Sequence, residues 1–363
     1  MLKKFGSVAA IVLVVAIVAG VVAGCSNSST GTTTGSTGTT TKLKAGMVTD
    51  IGGLGDKSFN DLSWEGLQRA EKDLGVEVKA ISSKNMTDYD SNIAQLANAK
   101  YDAIFCVGFL MADAISKAAT AFPDVKCYGG IDIFIDKPAA NEVGLTFKEQ
   151  EAGYLAGVAA GLMTKETAVD SRINADNVIG FVGGMPIPPV KKFEAGFIAG
   201  AKSVNPSVKV ISLYCGTGAT AFSDQAKGKE LGLSLISQKA DIVFAAAGQS
   251  GLGTFAACKE KGALFIGVDA DQYLTLPSPG DVILTSAVKK VDVAVFNTVK
   301  ALKDGTFKGG TNTVFGLKEG GVDLAPWHEW ESKIPATVNE AITKAKKDIT
   351  DGTVTVPEDP AKI

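Results

Sequence analysis

The sequence predicts an α/β protein of two doubly wound, mostly parallel sheets facing one another across a cleft. Three observations predict it. Short apolar runs alternate with helix-period segments from Lys44 onward, the pattern restarts near residue 178, and the two halves resemble each other. Alternation of this kind builds βαβ units and a parallel sheet.

Each element can be taken in order. KAGMV is strand-like, and DLSWEGLQRAEKDLG carries Trp64, Leu67, Ala70 and Leu74 at helical spacing with Gly75 as a stop. VEVKAIS, YDAIFCVG, VKCYGGID and EVGLTF read as strands, with SNIAQLANA and ADAISKAATAF as helices between them. After EQEAGYLAGVAAGLMT come the strands NVIGFVGG, VKVISLYCG, ADIVFAAAG and LFIGVDAD. The helices VKKFEAGFIAGAKSV, SDQAKGKELGLSLISQK and FAACKEKG alternate with them. GMVTDIGGLGDKSFNDLSWEGLQRA…VKAI parallels GFVGGMPIPPVKKFEAGFIAGA…VKVI, so each half opens with a strand, a long loop, a helix and a second strand. The expected boundaries are 42–146 plus 284–320 for the first lobe and 147–283 plus 321–363 for the second.

The first 41 residues read differently. Lys3 and Lys4 precede an apolar run from Val8 to Ala23, and Val22-Ala23-Gly24-Cys25 closes it. A positive start, an apolar stretch and small residues before a cysteine resemble a lipoprotein signal, residues 1–24, with Cys25 lipidated by palmitate. A transmembrane helix is the alternative, since the run nears the length that spans a bilayer. Residues 25–41 are almost entirely Ser, Thr, Gly and Asn, a composition that forms a flexible tether. The expected location is therefore the extracytoplasmic face of the cell membrane.

Composition and motifs exclude several functions. A net charge of −3 over 363 residues offers no nucleic-acid footprint. GGLGDKS fails the phosphate-loop spacing because Asp56 separates Gly55 from Lys57, and the dinucleotide fingerprint fails at Ser58. GQSG at Gly248–Gly251 is no nucleophile elbow. The single histidine, His328, stands beside Trp327 and Trp330 and reads as structural. Asp88-x-Asp90-x-Asn92 lacks the glycine of a calcium loop and reads as turn and helix-cap chemistry. Cys106, Cys127, Cys215 and Cys258 form no metal or redox motif. No catalytic group, metal or cofactor is expected, and the loops at strand ends are where such sheets bind ligands.

Five stretches together resemble the basic membrane protein family of bacterial lipoproteins. They are VTDIGGLGDKSFN, GGMPIPPVKKFEAGFIAGA, FSDQAKGKELG, IGVDADQ and TSAVKKVDVAV. The resemblance implies a fold similar to type I periplasmic binding proteins and capture of purine nucleosides (inosine, guanosine, adenosine) for an ABC importer. It implies a base stacked between Phe59 and Phe222, with Asp269 and Lys289 on the ribose and a Gly248 backbone contact. Asp271 and Lys290 are the neighbouring alternatives for those two roles. Asp132 is the candidate for the base, with Asn60 and Asp50 at the same end. The partners it implies are the importer's permease and ATPase, with no nucleic acid. The same fold binding a sugar or signal molecule, a sensing or adhesion lipoprotein, and a nucleoside hydrolase or phosphorylase remain the other readings.

Overall fold

A computed structural model describes residues 42–363 apart from Ala219; the expected signal peptide, tether and Cys25 lie outside the described residues. The first sheet contains β1 (Lys44–Thr49), β2 (Glu77–Ile81), β3 (Ala103–Val107), β4 (Cys127–Ile131) and β5 (Glu142–Phe147). The second contains β6 (Val178–Gly183), β7 (Lys209–Tyr214), β8 (Ala240–Ala246), β9 (Leu264–Asp269) and β10 (Ile283–Lys289). β11 (Thr311–Phe315) and β12 (Val322–Leu324) complete one sheet each. The strand orders are β11-β5-β4-β3-β1-β2 and β12-β10-β9-β8-β6-β7, so each strand of one lobe has a counterpart in the other. All ladders are parallel except β10–β12.

Burial follows position. β3, β4, β6, β8 and β9 are buried throughout, as two helical layers require, whereas the edge strands β2, β7 and β11 are partly exposed. The covering helices are α1 (Phe59–Leu74), α2 (Tyr89–Asn98), α3 (Ala112–Ala121), α4 (Glu149–Met163) and α5 (Pro188–Val204). They continue with α6 (Gln225–Ser237), α7 (Gln249–Lys261), the single turn α8 (Gln272–Thr275), α9 (Val291–Lys303) and α10 (Ala336–Thr350).

One expected boundary is wrong. The sequence places residues from 284 in the first lobe, but β10 pairs with β9 in the second sheet. The chain returns to the first lobe only with α9, which packs on α1. An apolar run such as ILTSAV fits either buried sheet, so periodicity could not choose. The lobe crossings therefore fall after Phe147, after Lys289 and after Phe315. They are tied together: Lys148 N donates to Phe315 O at 2.9 Å, Lys290 N to Gly321 O at 2.8 Å, and the Phe147 and Phe315 rings stack at 5.2 Å.

α4 and α5 cross at backbone contact because both carry glycines on the facing side. A Cβ at Gly157 would sit 2.1 Å from Phe197 O, and one at Gly196 2.0 Å from Gln150 O. Gly157→Ala must push the helices apart, and we expect a loss of about 1–3 kcal/mol of stability. Denaturant midpoints of the two proteins measure it; equal midpoints would mean the crossing relaxes at no cost.

Candidate functional site

Order reverses in each sheet where β1 and β3, or β6 and β8, lie side by side. Crevices open beyond the carboxyl ends of strands at such points. Here the two crevices face each other. The cavity between them is lined by Asp50, Asp56, Phe59, Asn60, Asp132, Phe193, Phe222, Gly248, Asp269 and Lys289, together with smaller and apolar neighbours. Its volume is about 60 Å³, a narrow space between the lobes. All eight ligand-site residues expected from the sequence meet here: Asp50, Phe59, Asn60, Asp132, Phe222, Gly248, Asp269 and Lys289.

Asp132 and Asp269 occupy equivalent places, immediately after β4 and at the end of β9, and both hold φ +60. Non-glycine residues adopt that conformation at a cost, and such positions concentrate at functional sites. Between them stands Lys289, whose Nζ is 2.7 Å from Asp132 Oδ2, 3.4 Å from Asp269 Oδ1 and 3.7 Å from Glu149 Oε1. The rings of Phe59, Phe147 and Phe193 surround the ammonium at 4.5, 5.6 and 5.6 Å. Asp132 thus meets Lys289 and Asp269 in the same cavity that Asp50 and Asn60 line.

Burial opposes charge on Lys289, but the surrounding carboxylates outweigh it and raise its pKa. Burial, with Asp132 adding to it, pushes Glu149 up to about 8. Burial likewise brings Asp269 up to about 6 against the pull of Lys289. Asp132 Oδ1 and Asp269 Oδ1 are buried without a hydrogen-bond partner, so acceptors are left for a ligand's donors.

The loop after β1 builds another part of the lining. Asp56 accepts from the backbone amides of Ser58 (3.0 Å), Asn60 (2.8 Å) and Asp61 (3.1 Å), capping the start of α1. Asn60 Nδ2 donates to Asp50 Oδ1 at 3.0 Å and Asp56 Oδ2 at 3.1 Å, which assigns its amide orientation and leaves Oδ1 unpartnered. Gly52 N also donates to Asp50 Oδ1, at 2.9 Å. Burial pushes Asp50 up to about 6 despite the hydrogen bonds from Asn60 and Gly52.

Phe222 lies flat on Gly184, where a Cβ would come within 2.2 Å of its ring. Ser250 and Gly248, at the start of α7, hold the Phe222 loop: Ser250 Oγ donates to Ala221 O at 3.0 Å. Gly248 takes φ +55 and a Cβ there would stand 3.0 Å from Phe222 O.

The neighbouring alternatives point elsewhere. Asp271 is 2.7 Å from His328 Nε2, whose ring stacks on Tyr273 at 4.1 Å, so the lone histidine braces α8. Lys290 precedes α9 as its N-cap and does not line the cavity. Asp88 accepts from the amides of Lys84 and Asn85, consistent with turn chemistry. Sequence reasoning missed Asp56, Phe193 and Glu149. Asp56 was legible as an acid three residues before a helix, and Glu149 as a polar start to an otherwise apolar helix; Phe193 carries no signal apart from its place in the repeat.

Fold and site together define a two-lobed solute-binding protein. Residues 43–359 match the family model described as ABC transporter substrate-binding protein PnrA-like, and the chain belongs to that family. It is 37% identical over 335 residues to the ABC transporter nucleoside-binding protein BmpA of Lactococcus lactis subsp. cremoris, covering 87% of this chain and 90% of that one. It is 34% identical over 282 residues to basic membrane protein A of Borreliella burgdorferi, covering 76% and 77%. A solute-binding protein of an ABC transporter system from Aeropyrum pernix superposes with a TM-score of 0.79 at 28% identity, covering 87% of this chain and 94% of that one. Relatives in Pyrococcus are named lipoproteins, and the family model and the Aeropyrum neighbour are described as substrate-binding and solute-binding proteins. No helix among the described residues is long and apolar enough to cross a membrane.

The raised carboxyl at Asp50 yields a pH test. Its ordinary value is 3.8 and its folded value about 6, so the folded state holds the extra proton between them. Its stability contribution is full below about 3.8 and is lost as pH rises through about 6. Asp50→Asn keeps an acceptor oxygen and removes the buried charge. We expect it to stabilise the ligand-free protein by about 2 kcal/mol at pH 7.5 and to make no gain at pH 4. Thermal melts across that range check this; a gain independent of pH would remove Asp50's titration as the cause.

Proposed function

We propose that this protein captures purine nucleosides outside the cytoplasmic membrane, held there by lipid on Cys25, and passes them to the permease and ATPase of an ABC importer. The observation that carries the reading is one cavity with two kinds of lining. Two phenylalanines, Phe59 and Phe222, border it, and a lysine between two aspartates stands at one end. Aromatic rings stack on the flat faces of a base, and each such stack contributes roughly 1–3 kcal/mol. Asp132, Asp269 and Lys289 offer acceptors and a donor to the two ribose hydroxyls. The Asp50–Asn60 end then meets the edge of the base. The naming of one relative as nucleoside-binding supports the same ligand class.

Charge argues for nucleosides over nucleotides. Asp50, Asp56, Asp132 and Asp269 line the cavity with a single lysine among them. The N-terminus of α1, an anion-binding position in phosphate loops, is already filled by Asp56. A phosphate would enter against these charges and find the amides of Ser58, Asn60 and Asp61 already taken by Asp56.

Closure accounts for capture without any bond being made. The lining comes from both lobes, so a ligand stabilises the closed arrangement in proportion to the contacts only that arrangement makes.

Isothermal titration of the chain, refolded to remove carried-over ligand, tests the reading with inosine, guanosine, adenosine, uridine, ribose and inosine monophosphate. We expect tight binding of purine nucleosides, no binding of the monophosphate, and a loss of about ten- to a hundredfold in Phe222→Ala. Heat from ribose or uridine alone would overturn the purine assignment.

A further inference from the structure

The loop after β1 is gripped from the opposite lobe by side chains that do not line the cavity. Gln249, the first residue of α7, donates from Nε2 to Gly52 O at 2.8 Å and to Leu54 O at 3.3 Å. From the single turn α8, Thr275 Oγ1 donates to Lys57 O at 3.0 Å and Gln272 Nε2 to the same carbonyl at 3.3 Å. Three backbone carbonyls of one lobe thus accept from three side chains of the other.

The loop's backbone is shaped for this. Gly53 and Gly55 take φ +66 and +94, and Lys57 takes φ +57 without being glycine. Gly53 stands directly under Gln249: a Cβ there would lie 3.9 Å from the amide nitrogen. The loop is held rigid from its own side, because Asp61 accepts from the amides of Gly55 (2.7 Å) and Lys57 (3.1 Å) while Asp56 caps α1. The carbonyls of Gly52 and Leu54 accept no other hydrogen bond among the described residues. α8 is equally anchored: Gln272 N donates to Ser286 Oγ at 3.1 Å and Gln272 Oε1 accepts from Val268 N at 3.2 Å. Tyr273 in the same turn stacks on His328. Two preformed surfaces therefore meet, with donors on one and acceptors on the other.

We propose that Gln249, Gln272 and Thr275 form an interlobe clasp that holds the closed state and sets how long any ligand stays. They are positioning residues: each reads only backbone, so the clasp favours closure equally for every ligand and contributes nothing to choice among them. The inference rests on the reading of the chain as a closing, two-lobed receptor and not on which ligand it holds. Opening must break these hydrogen bonds before the ligand can leave, whereas encounter with the open cleft precedes them. The clasp therefore acts on dissociation.

Gln249→Ala and Thr275→Val remove donors from half-buried positions, and Thr275→Ser keeps the hydroxyl as a conservative control. With the full chain, stopped-flow measurement of inosine and guanosine should show the dissociation rate rising about fivefold in each of the first two variants. Association rates and the inosine-to-guanosine ratio should stay as in the unmodified protein, and Thr275→Ser should dissociate at the original rate. Unchanged dissociation in both variants, or a change that differs between the two nucleosides, would overturn the clasp. If the unmodified chain binds neither nucleoside, the ligand assignment fails first, and small-angle scattering of the ligand-free proteins then decides. A larger radius of gyration in a Gln249→Ala, Thr275→Val double variant supports the clasp, and an unchanged radius overturns it.

Discussion

A single buried ammonium organises this molecule. Lys289 closes β10 at the point where the chain leaves the second lobe, and its partner Asp132 belongs to the first. Placing a lysine there is costly in desolvation, and only carboxylates at close range offset it. That requirement explains features that otherwise look unrelated. Asp132 and Asp269 adopt a strained backbone to turn toward it, Glu149 approaches from the start of α4, and three phenylalanines exclude water around it. A group that joins both lobes and also borders the cavity couples closure to whatever occupies the cleft.

The near-twofold relation between the lobes gives that ammonium its setting. β4 and β9 are counterparts, so their terminal aspartates approach the cleft from opposite sides at matching depth. The pairs α1–α9 and α4–α5 are counterparts too, and both are joined by glycines at backbone distance: Gly66 against Asp292 O, and Gly157 against Phe197 O. Such tight crossings keep each lobe rigid beside the hinge. The lobes are joined by the three crossing segments, where Phe147 and Phe315 stack and neighbouring strands share hydrogen bonds. Membership in a substrate-binding family accords with that division into rigid lobes and a narrow hinge.

The loop that resembles a phosphate cradle is instead a carboxylate-filled turn. Lys57 sits outside, pairing with Asp61 at 3.6 Å, while Asp56 takes the helix amides that would otherwise face an anion. A glycine-rich loop thus serves hydrogen-bonding across lobes and the approach of Phe59 to the cleft, with its charge internally satisfied. The same turn shows how one short stretch can cap a helix, line a site and meet the opposite lobe.

Local pattern was enough to determine the alternation of strands and helices and the two repeated halves, while the cleft residues were nominated by the resemblance of five stretches to a known family. Period, turn glycines and polar neighbours of Phe59 and Phe222 are properties of adjacent positions, and they are written in the chain. Whether β10 belonged to the first or second sheet was not legible, because an apolar strand satisfies either core equally. The meeting of Asp132 with Lys289, 157 positions apart, was likewise decided only by the fold. Sequence could nominate each as a polar residue beside a strand end, yet nothing local says which cation a carboxylate will meet. Phe193 escaped notice for the same reason: an aromatic on a helix looks ordinary until the fold brings a distant ammonium against its ring. The tertiary structure alone brings opposite charges from distant segments into low dielectric, and that proximity makes ordinary residues into a site.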